Sequence, residues 1–97
     1  MTDPELRALL RDCLTLWAVS GRVDVSAGIA TIETAAGRFV LTPAPSDLRP
    51  VRWLLETPER RALGRPPRAI PSVVAALSAI RNALGIAGGS MLRIGGG

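Results

Sequence analysis

A chain of 97 residues with a net charge of +4 and a hydrophobic fraction of 47% is one domain's worth of sequence. It holds no His, Lys, Tyr or Gln and a single Cys. That inventory excludes imidazole acid–base pairs, Ser–His and Cys–His nucleophiles, lysine Schiff bases, Walker-type phosphate loops, intrachain disulfides and Cys-cluster zinc sites.

The first segment predicts a helix. Thr2 to Glu5 has the T-x-x-E pattern of a capping box, with Pro4 suited to the first turn. Leu6, Leu9, Leu10, Cys13, Leu14 and Trp17 follow at helical spacing as one apolar stripe. Arg7, Arg11, Asp12 and Thr15 fall on the other side, and Gly21 is the expected stop. At about 1.5–3 kcal/mol for each large side chain buried, this stripe is a main source of stability. Cys13 lies on it and reads as a small buried hydrophobe. The acidic opening lacks the basic start and apolar core of a signal peptide. The longest charge-free stretch suited to a helix, Ala69 to Ile80, is about half a membrane span. A soluble, cytoplasmic protein without membrane contact is therefore expected.

The middle of the chain predicts antiparallel β-structure. Val23 and Val25 alternate with Arg22, Asp24 and Ser26 before the turn residues Ala27-Gly28. Ile29 to Thr34 and Arg38 to Thr42 follow, separated by Ala35-Ala36-Gly37. Pairing Thr34 with Phe39 puts Ala30, Ile32, Phe39 and Leu41 on one face, with Thr31, Glu33, Val40 and Thr42 on the other. The apolar face is expected to lie on the first helix.

Pro43 to Pro50 is rich in turn residues. Ser46 or Asp47 is suited to cap a short helix running to about Glu56, although Val51, Trp53 and Leu55 also alternate as a strand would. Thr57-Pro58-Glu59 is a helix start that Gly64 ends, and Arg65-Pro66-Pro67-Arg68 reads as extended. A last helix begins near Pro71-Ser72, carries Val73, Leu77, Ile80 and Leu84 as its apolar stripe, and stops at Gly85. Its flank is also apolar: Ala75, Ala79 and Ala83 are spaced four apart, with Ala76 beside them. Such a helix packs on two sides, either centrally in the domain or against a second copy of the chain. Residues 85–97 hold six glycines and read as a flexible tail, in which Ser90 to Ile94 is suited to add an edge strand.

The sequence thus predicts a single small α+β domain over residues 1–84. An N-terminal amphipathic helix is followed by a small antiparallel hairpin or meander and then by two or three helices; the Gly-rich tail covers 85–97.

Charge is the one marked asymmetry. Arg49, Arg52, Arg60, Arg61, Arg65 and Arg68 stand against Glu56 and Glu59, and the charges elsewhere balance, so the whole +4 sits between 49 and 68. Arginine offers a planar fork for carboxylates and phosphates, and clustered charge concentrates anions locally. The bland alternative is a solvated basic face. Trp53 sits inside this stretch; Trp and Arg are enriched at binding hot spots, and Trp is also heavily buried on average. The mean hydropathy of +0.28 is high for a chain this small and points to apolar surface covered by a partner.

These features predict a non-catalytic interaction protein. Its candidate partner surface is Arg49, Arg52, Trp53, Arg60, Arg61, Arg65 and Arg68, and its candidate self-association surface is Ala75, Ala79 and Ala83. The expected partner is another protein or a second copy of the chain, and an anionic partner suits the arginines. Nucleic acid is the alternative, through phosphate contacts. It is the less favoured one, since Trp17, Phe39 and Trp53 read as packing residues and leave no stacking platform. An enzyme working without His or Lys ranks third. No cofactor or metal is expected.

Overall fold

The computed structural model describes residues 2–48 and 50–85; Arg49 and the tail beyond Gly85, with its Ser90–Ile94 segment, lie outside them. The elements in chain order are α1 (Asp3–Leu16), β1 (Gly21–Ser26), β2 (Ile29–Thr34), β3 (Gly37–Pro43), a single 3₁₀ turn (Ser46–Leu48), β4 (Trp53–Glu56), α2 (Pro58–Ala62), β5 (Arg68–Ile70) and α3 (Val73–Ala83). The five strands form one antiparallel sheet in the order β1-β2-β3-β4-β5. No helix among the described residues is long and apolar enough to cross a membrane.

The capping box forms as its sequence predicts: the Glu5 amide donates to Thr2 Oγ1 and the Thr2 amide donates to Glu5 Oε1. Leu6, Leu10 and Leu14 of α1 are buried, and so are Ala76, Ala79 and Ile80 of α3. They share one core with Val23, Val25, Ala30, Ile32, Phe39, Leu41, Leu55 and Ile70, the alternate residues of one sheet face. The opposite face carries Arg22, Asp24, Thr31, Glu33, Arg38, Val40, Thr42 and Glu56, exposed or half-buried. The domain is therefore two layers, with helices on one side of the sheet.

Three expectations need correction. The β2–β3 register pairs Thr34 with Gly37 and Ile32 with Phe39, two residues from the expected Thr34–Phe39 pairing. A shift of two keeps every side chain on its face, so the expected apolar face holds. The Thr34 hydroxyl stabilises the tighter turn, accepting from the Ala36 amide and donating to the Gly37 carbonyl.

The second correction is at the end of α1. The helix ends at Leu16 instead of running to Gly21, and Ala18 takes the left-handed conformation, φ 57°. The Val19 amide donates to the Leu14 carbonyl and the Ala18 amide to the Thr15 carbonyl, the paired bonds of a Schellman turn. Gly21 instead opens β1, where a Cβ would stand 2.7 Å from the Glu33 carbonyl oxygen. A left-handed alanine costs about 1–2 kcal/mol, offset in part by the extra freedom a glycine has when unfolded. Ala18→Gly is thus expected to raise stability by about 0.5–1 kcal/mol, read from the urea midpoint.

The third correction is across residues 46–56. The 3₁₀ turn is one turn long, and the chain then becomes strand β4 on the edge of β3. The alternation of Trp53 and Leu55 wins over the capping signal at Ser46 and Asp47, because the open side of β3 leaves a ladder to be paired. Strand β5 then adds to β4. It is three residues long, preceded by Pro66-Pro67 and followed by Pro71. Its pairing turns Arg68 and Ile70 toward β4, leaving Ala69 as the strand's only amide toward the open side.

Candidate functional site

The arginine segment folds into several neighbouring pieces. Arg52 is exposed just before β4, Arg60 and Arg61 lie on α2, Arg65 is exposed in the loop after it, and Arg68 is exposed on β5. Thr57 caps α2 by accepting from the Arg60 amide, and the Gly64 amide closes the helix on the Arg61 carbonyl. This return of the chain sets the Pro66 carbonyl 2.7 Å from Arg60 Nε, which donates to it. The Nε edge of the Arg60 guanidinium is thereby fixed. Arg61 donates to Glu56 at 2.6 and 3.2 Å, so its charge is largely neutralised. The ion pairs among the described residues involve Arg22, Arg38 and Arg61, and none involves Arg52, Arg60, Arg65 or Arg68.

Arg60 and Arg68 border a groove of about 440 Å³ between α2 and α3. Phe39 and Leu55 form its floor, Ala79 and Ala83 one wall, and Thr57, Glu59 and Asn82 add polar atoms. Arg68 reaches it because β5 pairs with β4 in a register that sets Arg68 opposite Leu55. The groove thus sets two guanidinium groups and the Glu59 carboxylate around an apolar lining, and the guanidinium groups can offer charge-assisted hydrogen bonds to an anionic group.

Arg52 and Trp53 sit apart from this groove. With Pro71, Ser72 and Val73 they line a shallower cleft of about 360 Å³ at the start of α3. Trp53 is half-buried and packs against the core, so much of its area is committed to the fold. The alanine stripe of α3 is divided in the same way: Ala79 is buried, Ala75 is half-buried against the core, and Ala83 is exposed. Small side chains at 76 and 79 let α3 lie close over β4 and β5. Asn82, Thr57 and the groove floor were not visible as site residues in the sequence, since they converge through strand pairing that no local pattern announces.

The remaining titratable groups have structural roles. Cys13 is half-buried, and burial followed by the Asp12 charge pushes its thiol pKa up, which lowers its reactivity. Among the described residues no three His, Cys, Asp or Glu side chains gather in a way that could hold a metal ion. On the outer sheet face Glu33 lies between Arg22, at 3.0 Å, and Arg38, at 3.1 Å. Hydrogen bonds from Arg22 and then Arg38 hold its carboxyl below its ordinary pKa. A carboxylate whose folded pKa is depressed adds stability above its unfolded pKa and loses it as pH falls through the folded value. Glu33→Gln is therefore expected to flatten the acid limb of a stability–pH curve while changing little near neutrality, where an exposed pair contributes modestly.

Compared with models of protein families, with curated proteins and with solved structures, the chain has no significant match.

Proposed function

We propose that this protein is a non-catalytic interaction domain that captures an acidic segment of another protein on the arginine face of residues 49–68. The observation that carries the reading is the convergence of Arg60, from α2, and Arg68, from β5, on one groove with an apolar floor. A carboxylate in that groove meets two guanidinium groups, and the neighbouring side chain of the partner packs on Pro58 and Ala83, the accessible apolar lining. Arg52 and Arg65 extend the positive field beyond the groove and steer an acidic partner toward it. A protein partner fits better than nucleic acid because all three aromatic side chains are engaged in packing: Phe39 is buried, and Trp17 and Trp53 are half-buried against the core.

The test is a fluorescence-anisotropy titration with two labelled probes, a peptide of alternating Glu and Leu and a single-stranded oligonucleotide, each at two salt concentrations. The peptide is expected to bind, and Arg60→Glu with Arg68→Glu to weaken it by roughly a hundredfold or more, since each lost charge contact is worth roughly 1.5–3 kcal/mol. Circular dichroism checks that the variant is folded. Equal binding by the folded variant rejects the groove. Tighter oligonucleotide binding with a steep salt dependence moves the reading to phosphate contacts.

A further inference from the structure

We propose that two copies of this protein join through the edge of β1 that no strand among the described residues covers, antiparallel about a two-fold axis at Val23, so that one sheet continues into the next. This assembly uses neither the arginine segment nor the groove.

The register of β1 on β2 decides which backbone groups are free. Ala27 and Gly28, both with positive φ, make a two-residue turn between Ser26 and Ile29. Such a turn makes Ser26 and Ile29 a hydrogen-bonded pair, and the alternation of an antiparallel ladder then turns the amides of Arg22, Asp24 and Ser26 toward β2. Gly21, Val23 and Val25 turn their N–H and C=O groups to the open side. A side-chain contact agrees with this assignment: Arg7 Nη2 donates to the Val25 carbonyl at 3.4 Å. That distance is long for an N–H···O bond, so a backbone amide displaces it at little cost.

The side chains on this edge select the partner. Arg22 and Asp24 are 74% and 72% exposed on the outer face. When Val23 lies opposite Val23 of the second copy, Gly21 meets Val25, and all three outward amides on each strand are paired. Arg22 of each copy then faces Asp24 of the other at a non-hydrogen-bonded position, where side chains approach most closely. A slip of two residues sets Asp24 against Asp24 or Arg22 against Arg22, so charge admits one register and penalises its neighbours. The opposing term is α1, which packs on β1 and carries the exposed Arg7 and Arg11. Repulsion between such exposed, solvated groups is small beside a continuous ladder.

Light scattering and sedimentation equilibrium of the full chain over a micromolar range provide the test. The expected mass is twice 10.2 kDa. Arg22→Glu and Asp24→Arg are each expected to weaken association about tenfold or more, because like charges then face each other at two symmetric places. Mixing the two variants is expected to restore the dimer, since an acidic edge meets a basic one. Amide exchange adds a readout that needs no substitution: Val23 and Val25 should become protected as concentration rises. A wild-type monomer throughout the range overturns the proposal. So does a dimer whose strength neither variant changes, or one without concentration-dependent protection at Val23.

Discussion

Phe39→Ala is expected to lower the stability of the fold by about 3–5 kcal/mol, the usual loss for truncating a buried aromatic side chain. Phe39 lies on the central strand of the five and is 1% exposed. It is the largest of the fully buried side chains, and a close-packed interior compensates only partly for volume removed from it. A domain of this length has about 5–15 kcal/mol in total, so the loss removes from about a fifth to all of it. Urea unfolding followed by the fluorescence of Trp17 and Trp53 measures it. Leu16→Ala is the control: that side chain is 81% exposed, and its loss should fall within about 0.5 kcal/mol. Comparable losses in the two variants would mean that the core is not where the structure places it.

Gly37→Ala carries the second large effect, through two independent causes. The backbone at Gly37 has φ +124°, a region that L-residues enter at a cost of about 1–3 kcal/mol. A Cβ there would also stand 2.6 Å from Pro58 Cγ. Neither side of that contact yields easily, because Gly37 is fixed by the β2–β3 ladder and Pro58 opens α2 as its first residue. The expected loss is about 3 kcal/mol. Gly64→Ala isolates the backbone cause, since its φ is +67° and a Cβ would meet nothing within 4 Å; about 1 kcal/mol is expected there. A Gly37 loss no larger than the Gly64 loss would show that Pro58 moves aside. Because α2 carries Arg60, Gly37→Ala should also weaken acidic-peptide binding.

Local signals were legible wherever one residue type has one dominant use. The capping box at Thr2 and Glu5, the Leu6–Leu10–Leu14 stripe and the stops at Gly64 and Gly85 all follow from spacing that tertiary context had no reason to override. The apolar face of the hairpin was readable too, even though its register was not. Period-two patterning fixes the face, whereas the turn fixes the pairing. The end of α1 was hidden because the left-handed position is filled by Ala18, a residue with no preference for it, while a glycine stood three residues further on. Strand β4 was hidden because Trp53 to Glu56 is too short to separate the two periods, and the deciding factor, the open side of β3, lies outside the segment. The charge of the arginine segment could be counted in the sequence, but its geometry could not. Pairing of β5 with β4 brings Arg68 to the groove with Arg60, an ion pair to Glu56 removes most of the Arg61 charge, and Arg52 is left at a separate cleft.

The prolines around β5 have a consequence for how far an assembly can grow. A sheet that could accept neighbours at both rims would stack without limit, the geometry of a fibre. Here the far rim is a three-residue strand set between Pro66-Pro67 and Pro71, and proline has no N–H to donate. Growth by the proposed pairing at Gly21–Ser26 is therefore expected to stop after one addition, because the prolines leave the other rim little to offer a further strand.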